Sequence, residues 1–157
     1  MEANELKMII SQIIDQIEML VPVYVANEED RLKANGNVAV CIVDASGAVY
    51  GKIFGSDKIR GREAFRVAWI KASQVWITGM RTGEFEKKVF TKEIDETVFG
   101  IKRPDYVGWE GGQPVELPGG TVAVGFSGFT SATDIEIVLR AIEDCMLPVT
   151  VSHHKHN

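Results

Sequence analysis

Histidine is missing from almost the whole chain. All three histidines, His153, His154 and His156, fall within the last five of the 157 residues. Histidine is the usual general base near neutral pH and a frequent metal ligand. The sequence therefore predicts no metal site and no catalysis that depends on an internal histidine. We expect residues 151–157 to form a disordered tail, since chain ends are commonly frayed.

Cysteine and long apolar runs are also scarce. The two cysteines, Cys41 and Cys145, lie far apart in apolar contexts, which is typical of buried free thiols in a cytosolic protein. No apolar run reaches the roughly 20 residues that span a bilayer. The acidic start, Met-Glu-Ala-Asn-Glu, is unlike a secretory signal. These features predict a cytoplasmic protein that does not associate with membranes.

Positive charge is confined largely to one segment. Residues 52–103 hold 12 of the 17 Lys and Arg but 7 of the 22 Asp and Glu, which gives +5 there and −10 elsewhere. The whole chain carries a net charge of −5, and its aromatic residues are not interleaved with the basic ones. Nucleic-acid binding is therefore not expected. The basic segment fits either solvated helix faces or attraction of an anionic ligand.

Glycine, in contrast, is concentrated in one region. Seven glycines lie within the 21 residues 108–128, where the backbone must bend or approach something closely. The region has neither a G-x-G-x-x-G nor a G-x-x-x-x-G-K-[ST] motif, and no lysine occurs in residues 104–154, which argues against a phosphate loop. Two interpretations stay open: tight turns between short strands, or a ligand resting on exposed backbone. The second involves Gly111, Gly112 and Gly125–Gly128.

Hydrophobic periodicity predicts the order of secondary structure. The predicted helices are 4–21, 61–77, 91–99 and one that begins at Ser131, and the predicted strands are 38–43, 49–54, 113–116 and 121–127. Strands grouped in hairpins, with helices between the groups, indicate an α+β fold. We expect one domain over residues 1–150, with a central antiparallel sheet of about five strands flanked by helices.

The predicted helix 61–77 is apolar around most of its circumference. Its apolar residues are Phe65, Val67, Ala68, Trp69, Ile70, Ala72, Val75, Trp76 and Ile77. A helix of this kind must be covered on more than one side. In a domain this small we expect another subunit to provide the second cover, so the sequence predicts a homo-oligomer.

Four charged residues are the main candidates for special roles. Lys71 lies at the edge of the apolar helix, where its chain either snorkels to water or directs its ammonium at an anionic ligand. Asp44 follows a buried strand, a position where an Asx turn is the common role. Asp134 belongs to a capping-box pattern that begins at Ser131. Lys71, Asp44 and Asp57 are the weak candidates for catalytic charge.

Five pieces of the chain together resemble the GlcG/HbpS-like family, also called the haem-degrading domain family. They are Val-Cys-Ile-Val-Asp44-Ala-Ser-Gly47, Ala-Trp-Ile-Lys71-Ala, Gly111-Gly112-Gln-Pro-Val, Val-Gly125-Phe-Ser127-Gly128 and Asp134. The resemblance covers about residues 38–143. It implies a three-layer, profilin-like α+β fold and assembly into higher oligomers. Some members of this family bind haem or related tetrapyrroles, and others accompany cobalamin or glycolate metabolism.

The resemblance implies an oligomeric protein that binds a small molecule, with haem or a related tetrapyrrole as the candidate ligand. The predicted ligand-binding residues are Lys71, Gly111, Gly112, Gly125, Ser127 and Gly128. No internal histidine offers an axial ligand for haem iron, so Tyr50, Tyr106, a Met or a Thr would have to take that place, and the cofactor stays unassigned.

Two alternatives stay open. The first is an enzyme that acts on a small carboxylate-bearing substrate at a subunit interface. There Lys71, Asp44 and Asp57 would supply charge, and the amides of Gly125–Gly128 would form an oxyanion site. The second is a non-catalytic assembly or adaptor protein, in which the apolar helix serves oligomerisation alone.

Overall fold

The computed structural model describes the backbone of residues 2–155 and the side chains of residues 4–146. The helices are α1 (Glu2–Val25), α2 (Glu28–Ala34), α3 (Lys58–Thr78), α4 (Thr82–Phe90), a short 3₁₀ helix (Glu96–Phe99) and α5 (Ser131–Lys155). The strands are β1 (Ala39–Asp44), β2 (Val49–Ile53), β3 (Gly112–Leu117) and β4 (Gly120–Ser127). The α+β prediction is confirmed.

The strands form one antiparallel sheet in the order β2-β1-β4-β3. Within the described residues it has four strands, so the expectation of about five is wrong by one. Residues 103–110 precede β3 outside the sheet, and several of their backbone groups bond to side chains of α3 and α4, as described below. Gly111 reaches the sheet through its carbonyl, which accepts from the N–H of Phe126 on β4 at 2.9 Å.

Each face of the sheet carries a separate core. On one face α1 and α5 bury large aliphatic side chains such as Ile13 and Ile137 against Val40 and Phe126. On the other face α3 covers most of the sheet, with a stripe of small residues turned to the strands, and α4 contacts the edge strand β3. Small side chains on both surfaces let α3 approach the sheet closely, so the two layers have different packing. The three-layer arrangement is the expected one.

A row of small residues crosses the whole sheet beneath α3. In strand register, Gly51 pairs with Cys41, Cys41 with Gly125, and Gly125 with Gly112. A Cβ atom added at Gly125 would lie 2.1 Å from the carbonyl oxygen of Ala68. The row therefore forms a trough, in which α3 rests directly against the backbone of the strands. This close contact explains why glycine is required at several positions of the glycine-rich region.

Helix α1 extends beyond its predicted bounds of 4–21, because Pro22 lies inside the helix rather than at its end. The part Asn4–Val25 has a mean hydropathy of 1.4, so by length and composition it could cross a membrane, which the sequence expectation did not anticipate. A core helix of a soluble protein meets the same criterion. Here Ile10, Ile13 and Ile17 are buried against the sheet.

The predicted helix 91–99 is wrong in position. The helix in this region is α4, and Thr91 is its C-cap rather than its start. Lys92 then takes a left-handed conformation with φ +64°, which ends the helix, and a 3₁₀ turn follows at Glu96–Phe99. Val98, predicted to point inward, is 70% exposed. Helix α2 also escaped prediction, since seven mostly polar residues carry no strong periodicity.

Helix α5 begins at Ser131 as predicted, although Ser131 is its first residue rather than its cap. Asp30 on α2 fixes this end of the helix, since its carboxylate accepts from the backbone N–H of Thr130 at 2.9 Å and from the hydroxyl of Thr133 at 2.8 Å. A contact between residues 100 positions apart is invisible to a local pattern. The predicted tail, 151–157, lies outside the residues whose side chains are described, and it stays a prediction.

Candidate functional site

Lys71 is a fully buried lysine at the centre of the fold, with 2% of its surface exposed. Its ammonium donates to the carbonyl oxygens of Glu110 at 2.8 Å and Phe126 at 2.9 Å, and to Oδ2 of Asp134 at 3.3 Å. An ammonium has three protons, and all three have acceptors inside the protein. Lys71 therefore neither extends its side chain to water nor directs its ammonium at an open anion site, the two orientations that the sequence left open.

Asp134 forms a buried pair with Lys71 and also accepts from the backbone N–H of Phe129 at 3.0 Å. Burial raises the pKa of the Asp134 carboxyl to about 7, and the opposing pull of Lys71 and of the Phe129 N–H does not cancel that rise. Burial likewise lowers the pKa of Lys71, although Asp134 favours its charged form. The Lys71–Asp134 pair thus links α3 to α5, and the bond from Lys71 to the Phe126 carbonyl links both to β4. Removing the two charges from water costs free energy.

The predicted glycines meet around this lysine. Gly111 has φ +121°, and a Cβ there would lie 2.7 Å from Nζ of Lys71. Gly112 and Gly125 are buried beneath the helices, where added Cβ atoms would meet Thr82 of α4 and Ala68 of α3 respectively. Close packing within the protein therefore accounts for all three glycines. Their predicted contact with a ligand stays a prediction.

Ser127 and Gly128 lie at the end of β4, on the margin of a shallow groove of about 300 Å³. Lys33, Arg60, Glu63 and Val67 also line this groove, which gives it two cations and one carboxylate. Gly128 has φ +129°, and a Cβ there would lie 2.6 Å from Cγ1 of Val38. These two residues are the predicted ligand contacts that border open space.

Asp44 forms the predicted Asx turn. Its Oδ1 accepts from the N–H of Ser46 at 2.9 Å, the hydroxyl of Ser46 at 2.6 Å and the N–H of Ala48 at 3.0 Å. Its Oδ2 accepts from the Tyr50 hydroxyl at 3.3 Å. Burial raises the pKa of Asp44, but these hydrogen bonds together outweigh it and the net shift is downward.

Asp57 is the N-cap of α3, where its carboxylate accepts from the N–H groups of Ile59 and Arg60, each at 3.1 Å. The three weak catalytic candidates, Lys71, Asp44 and Asp57, therefore serve three separate local structures. No hydrogen bond joins any two of them within the described part of the chain.

The segment 103–111 is fixed to the helices by side chains that sequence reasoning missed. Gln74, buried on α3, donates to the carbonyl of Val107 at 3.0 Å and accepts from its N–H at 2.8 Å. The Thr82 hydroxyl, at the start of α4, donates to the carbonyl of Trp109 at 2.6 Å. Together with Lys71 these residues give the segment one fixed position. The sequence signal that could have indicated these contacts was Gln74, a polar residue one turn after Lys71 in a mostly apolar helix.

An open groove of about 330 Å³ lies between α3 and the segment 103–111, and we call it the arginine groove. Its apolar lining comes from α3 and from the segment, and Arg66 and Arg103 provide its positive charge. The residues that define it are Arg66, Val67, Ile70, Arg103, Tyr106 and Trp109. The indole of Trp109 is 61% exposed, so a flat ligand has access to an aromatic face.

The two arginines of the groove are paired with surface carboxylates. Arg66 donates to both oxygens of Glu63, at 2.6 and 3.0 Å, and Arg103 donates to Glu86 at 3.2 Å. Arg103 also lies over the ring of Tyr106, with its guanidinium carbon 5.1 Å from the ring centre. Both pairs are exposed, so a ligand carboxylate can compete with the protein carboxylates, and it does so more easily at Arg103 than at the doubly bonded Arg66.

The groove offers poor ligands for a metal. No cluster of three or more potential metal ligands occurs among the described residues, and the histidines lie beyond residue 146, outside the described side chains. The Tyr106 hydroxyl donates to Glu96. Burial and Glu96 raise the pKa of Tyr106 more than Arg103 lowers it. Haem iron binds tyrosine as the phenolate, and that form is disfavoured here.

Comparison with solved structures places the fold among known ones. The PduOC–haem complex superposes with a TM-score of 0.59 at 20% identity, covering 83% of this chain and 89% of that chain. HbpS gives a TM-score of 0.52 at 19% identity, over 85% and 86% of the two chains. The ORFY protein of Klebsiella pneumoniae gives 0.60 at 18% identity, also over 85% and 86%. A search of curated proteins returned no significant match.

The family is shown by a sequence model rather than by these superpositions, because identities of 20% or less speak for the fold alone. The model described as haem degrading protein HbpS-like matches residues 23–143. That range includes the buried Lys71, the glycine trough and the arginine groove. The protein belongs to the HbpS-like family.

Proposed function

We propose that this protein binds a planar, carboxylate-bearing small molecule in the arginine groove, with a tetrapyrrole as the leading candidate. The observation that carries the proposal is the combination in one groove of two exposed guanidinium groups, an apolar lining and an exposed indole. Guanidinium groups bind carboxylates with two parallel hydrogen bonds, and an indole stacks on flat conjugated rings. The family of this chain, and the haem bound by its structural neighbour PduOC, support the same ligand class.

The size of the groove fits part of such a ligand. Its volume of about 330 Å³ is near the lower end of the range for small-molecule pockets. Val67 lines both the arginine groove and the shallow groove beside Ser127 and Gly128, so the two grooves adjoin along α3. A macrocycle that extends from one to the other would meet four cations, Arg66, Arg103, Lys33 and Arg60, and two carboxylates, Glu63 and Glu86.

A titration with protoporphyrin IX, followed by the anisotropy of its fluorescence, tests the proposal. Arg103→Ala and Arg66→Ala should each weaken binding about tenfold, as expected for loss of a charge-assisted hydrogen bond to a ligand carboxylate. Arg62→Ala is the matched control, because Arg62 is an exposed arginine of α3 that does not line the groove. Its dissociation constant should stay within about twofold of wild type. Equal binding by all four proteins, or no saturable binding, would contradict the proposal.

We also propose that the protein is a homo-oligomer that associates through the outer face of α3. Trp69, Trp76 and Ile77 expose 41%, 49% and 41% of their surface on the part of α3 that is turned away from the sheet-packed stripe or borders it. Beside Trp76 lies an apolar hollow of about 320 Å³ that includes Pro114 and Ala123. A face of this kind on a subunit of 17.3 kDa favours burial against a symmetric copy.

Sedimentation analysis tests this association. The wild type should sediment as a discrete oligomer, and Trp69→Glu with Trp76→Glu should reduce it to a monomer with an unchanged circular dichroism spectrum, because two charges would be buried without partners. Leu32→Glu is the control, since Leu32 is also an exposed apolar residue, 69% exposed, but lies on α2. It should leave the oligomer intact. A monomeric wild type would refute the proposal.

The enzyme alternative receives less support from the geometry. It requires Lys71 to present its ammonium to a substrate, whereas the three protons of that ammonium are donated to Glu110, Phe126 and Asp134. We therefore propose a binding function and assign no catalytic role to Lys71.

A further inference from the structure

We propose that the arginine groove recognises its ligand without using a metal, so that a free-base porphyrin binds as well as its iron complex. This inference rests on the proposed function and narrows its ligand class. It follows from which ligand atoms the groove can contact. The carboxylates and the flat ring system of a tetrapyrrole are the same with and without iron.

The groove has attractive partners for those metal-independent parts. Val67 and Ile70 on α3 give the apolar surface, and the exposed ring of Trp109 gives an aromatic one. The guanidinium groups of Arg66 and Arg103 are exposed at the same groove. Burial of ring surface and pairing of carboxylates with guanidinium groups supply affinity whether or not the ring carries a metal.

The groove lacks an available donor for the metal itself. Its side-chain oxygen donors are those of Tyr106 and Glu86, and neither suits haem iron. The Tyr106 ring is buried and its hydroxyl donates to Glu96. The Glu86 carboxylate accepts from Arg103 and lies over Gly108, where an added Cβ would lie 1.9 Å from its carbon. A ligand that pairs with Arg103 would release this carboxylate, but carboxylates are not among the side chains that ordinarily hold haem iron.

No cysteine and no methionine of the described residues lines the groove. Cys41 is buried in β1, where burial raises the pKa of its thiol to about 12. Cys145 is on α5, which packs on the opposite face of the sheet. Iron ligation through cysteine requires the thiolate, so the buried Cys41 is unsuitable on chemical as well as spatial grounds.

A paired titration of the full-length protein distinguishes the outcomes. Protoporphyrin IX is titrated by fluorescence anisotropy, and haemin is then added as a competitor. The two dissociation constants should agree within about threefold, and bound haemin should show no Soret shift of the kind that a new axial ligand produces. His153→Ala, His154→Ala and His156→Ala combined should leave both constants unchanged.

Haemin affinity at least tenfold above that of protoporphyrin IX, in wild type or in the triple variant, would overturn the inference while leaving the proposed function intact. If the dissociation constants of haemin and protoporphyrin IX are equal in wild type and rise together in Arg103→Ala, the result supports both the inference and the proposed function. If neither compound binds saturably, the proposed function itself fails. The triple histidine variant shows whether the three C-terminal histidines bind the iron. If wild type shows a Soret shift with haemin and the triple variant does not, those histidines are ligands. That result would contradict recognition by the groove alone.

Discussion

Replacing Lys71 with methionine is expected to lower the free energy of unfolding by about 3–5 kcal/mol, the usual result of removing one partner from a buried ion pair. Methionine matches the length of the aliphatic chain, so the main losses are electrostatic. The carbonyl groups of Glu110 and Phe126 lose their donor, and the Asp134 carboxylate loses its cation. Urea denaturation followed by circular dichroism measures the change.

The control is Lys52→Met, which removes an exposed ion pair between Lys52 and Glu18 at 2.7 Å. Exposed pairs contribute at most about 1 kcal/mol, so this variant should stay close to wild type. Adding Asp134→Asn to Lys71→Met should recover at least about 1 kcal/mol, because it removes the uncompensated charge. Similar losses for both lysines would show that Lys71 has no special role.

The same substitution should make stability depend on pH. The pKa of Asp134 is already raised to about 7 with Lys71 present, and removing the ammonium raises it further. A carboxyl whose pKa is higher in the folded state stabilises the fold below the unfolded pKa, and that contribution is lost as pH rises through the folded pKa. The loss caused by Lys71→Met should therefore be larger at about pH 8 than at about pH 5. An equal loss at both pH values would contradict an uncompensated Asp134.

Much of the fold could be predicted from local patterns. The apolar faces of α1 and α3, the turn at Asp44 and the two strands after residue 112 have strong periodicity or turn chemistry, and each is found close to its predicted position. The family resemblance also came from short pieces around these elements. Local patterns succeed there because each element buries one regular face against the same sheet.

The candidate site could not be predicted to the same extent, because it depends on contacts between distant residues. Gln74 and Val107 are 33 positions apart, and Thr82 and Trp109 are 27 apart. These bonds place the irregular segment that carries Arg103 and Trp109 beside Arg66. The segment itself has no periodicity, so the sequence identified the glycines that pack under α3 and missed the groove that α3 helps to form.

Gly125→Ala tests the trough beneath α3 and has the second large expected effect. The added Cβ would lie 2.1 Å from the carbonyl oxygen of Ala68 and 2.6 Å from the backbone nitrogen of Ala72. Backbone atoms inside a helix cannot move singly, so α3 has to shift away from β4 as a unit. We expect a loss of about 3 kcal/mol in the free energy of unfolding, at the upper end for overpacking, measured by urea denaturation.

The displacement of α3 should also weaken ligand binding. Helix α3 carries Gln74, which fixes Val107, and Arg66, so displacement of the helix changes the arginine groove. Protoporphyrin IX binding should therefore weaken together with stability. Gly61→Ala is the control on the same helix, because its Cβ would lie 2.5 Å from the Cγ2 methyl of Ile53, a side chain that is 46% exposed, rather than close to helix backbone. Alanine also favours the helix by up to about 1 kcal/mol over glycine, which offsets part of that contact, so Gly61→Ala should cost clearly less than Gly125→Ala in both assays. If Gly125→Ala costs no more than Gly61→Ala, α3 does not rest on the trough as closely as the structure indicates, and the glycines need another explanation.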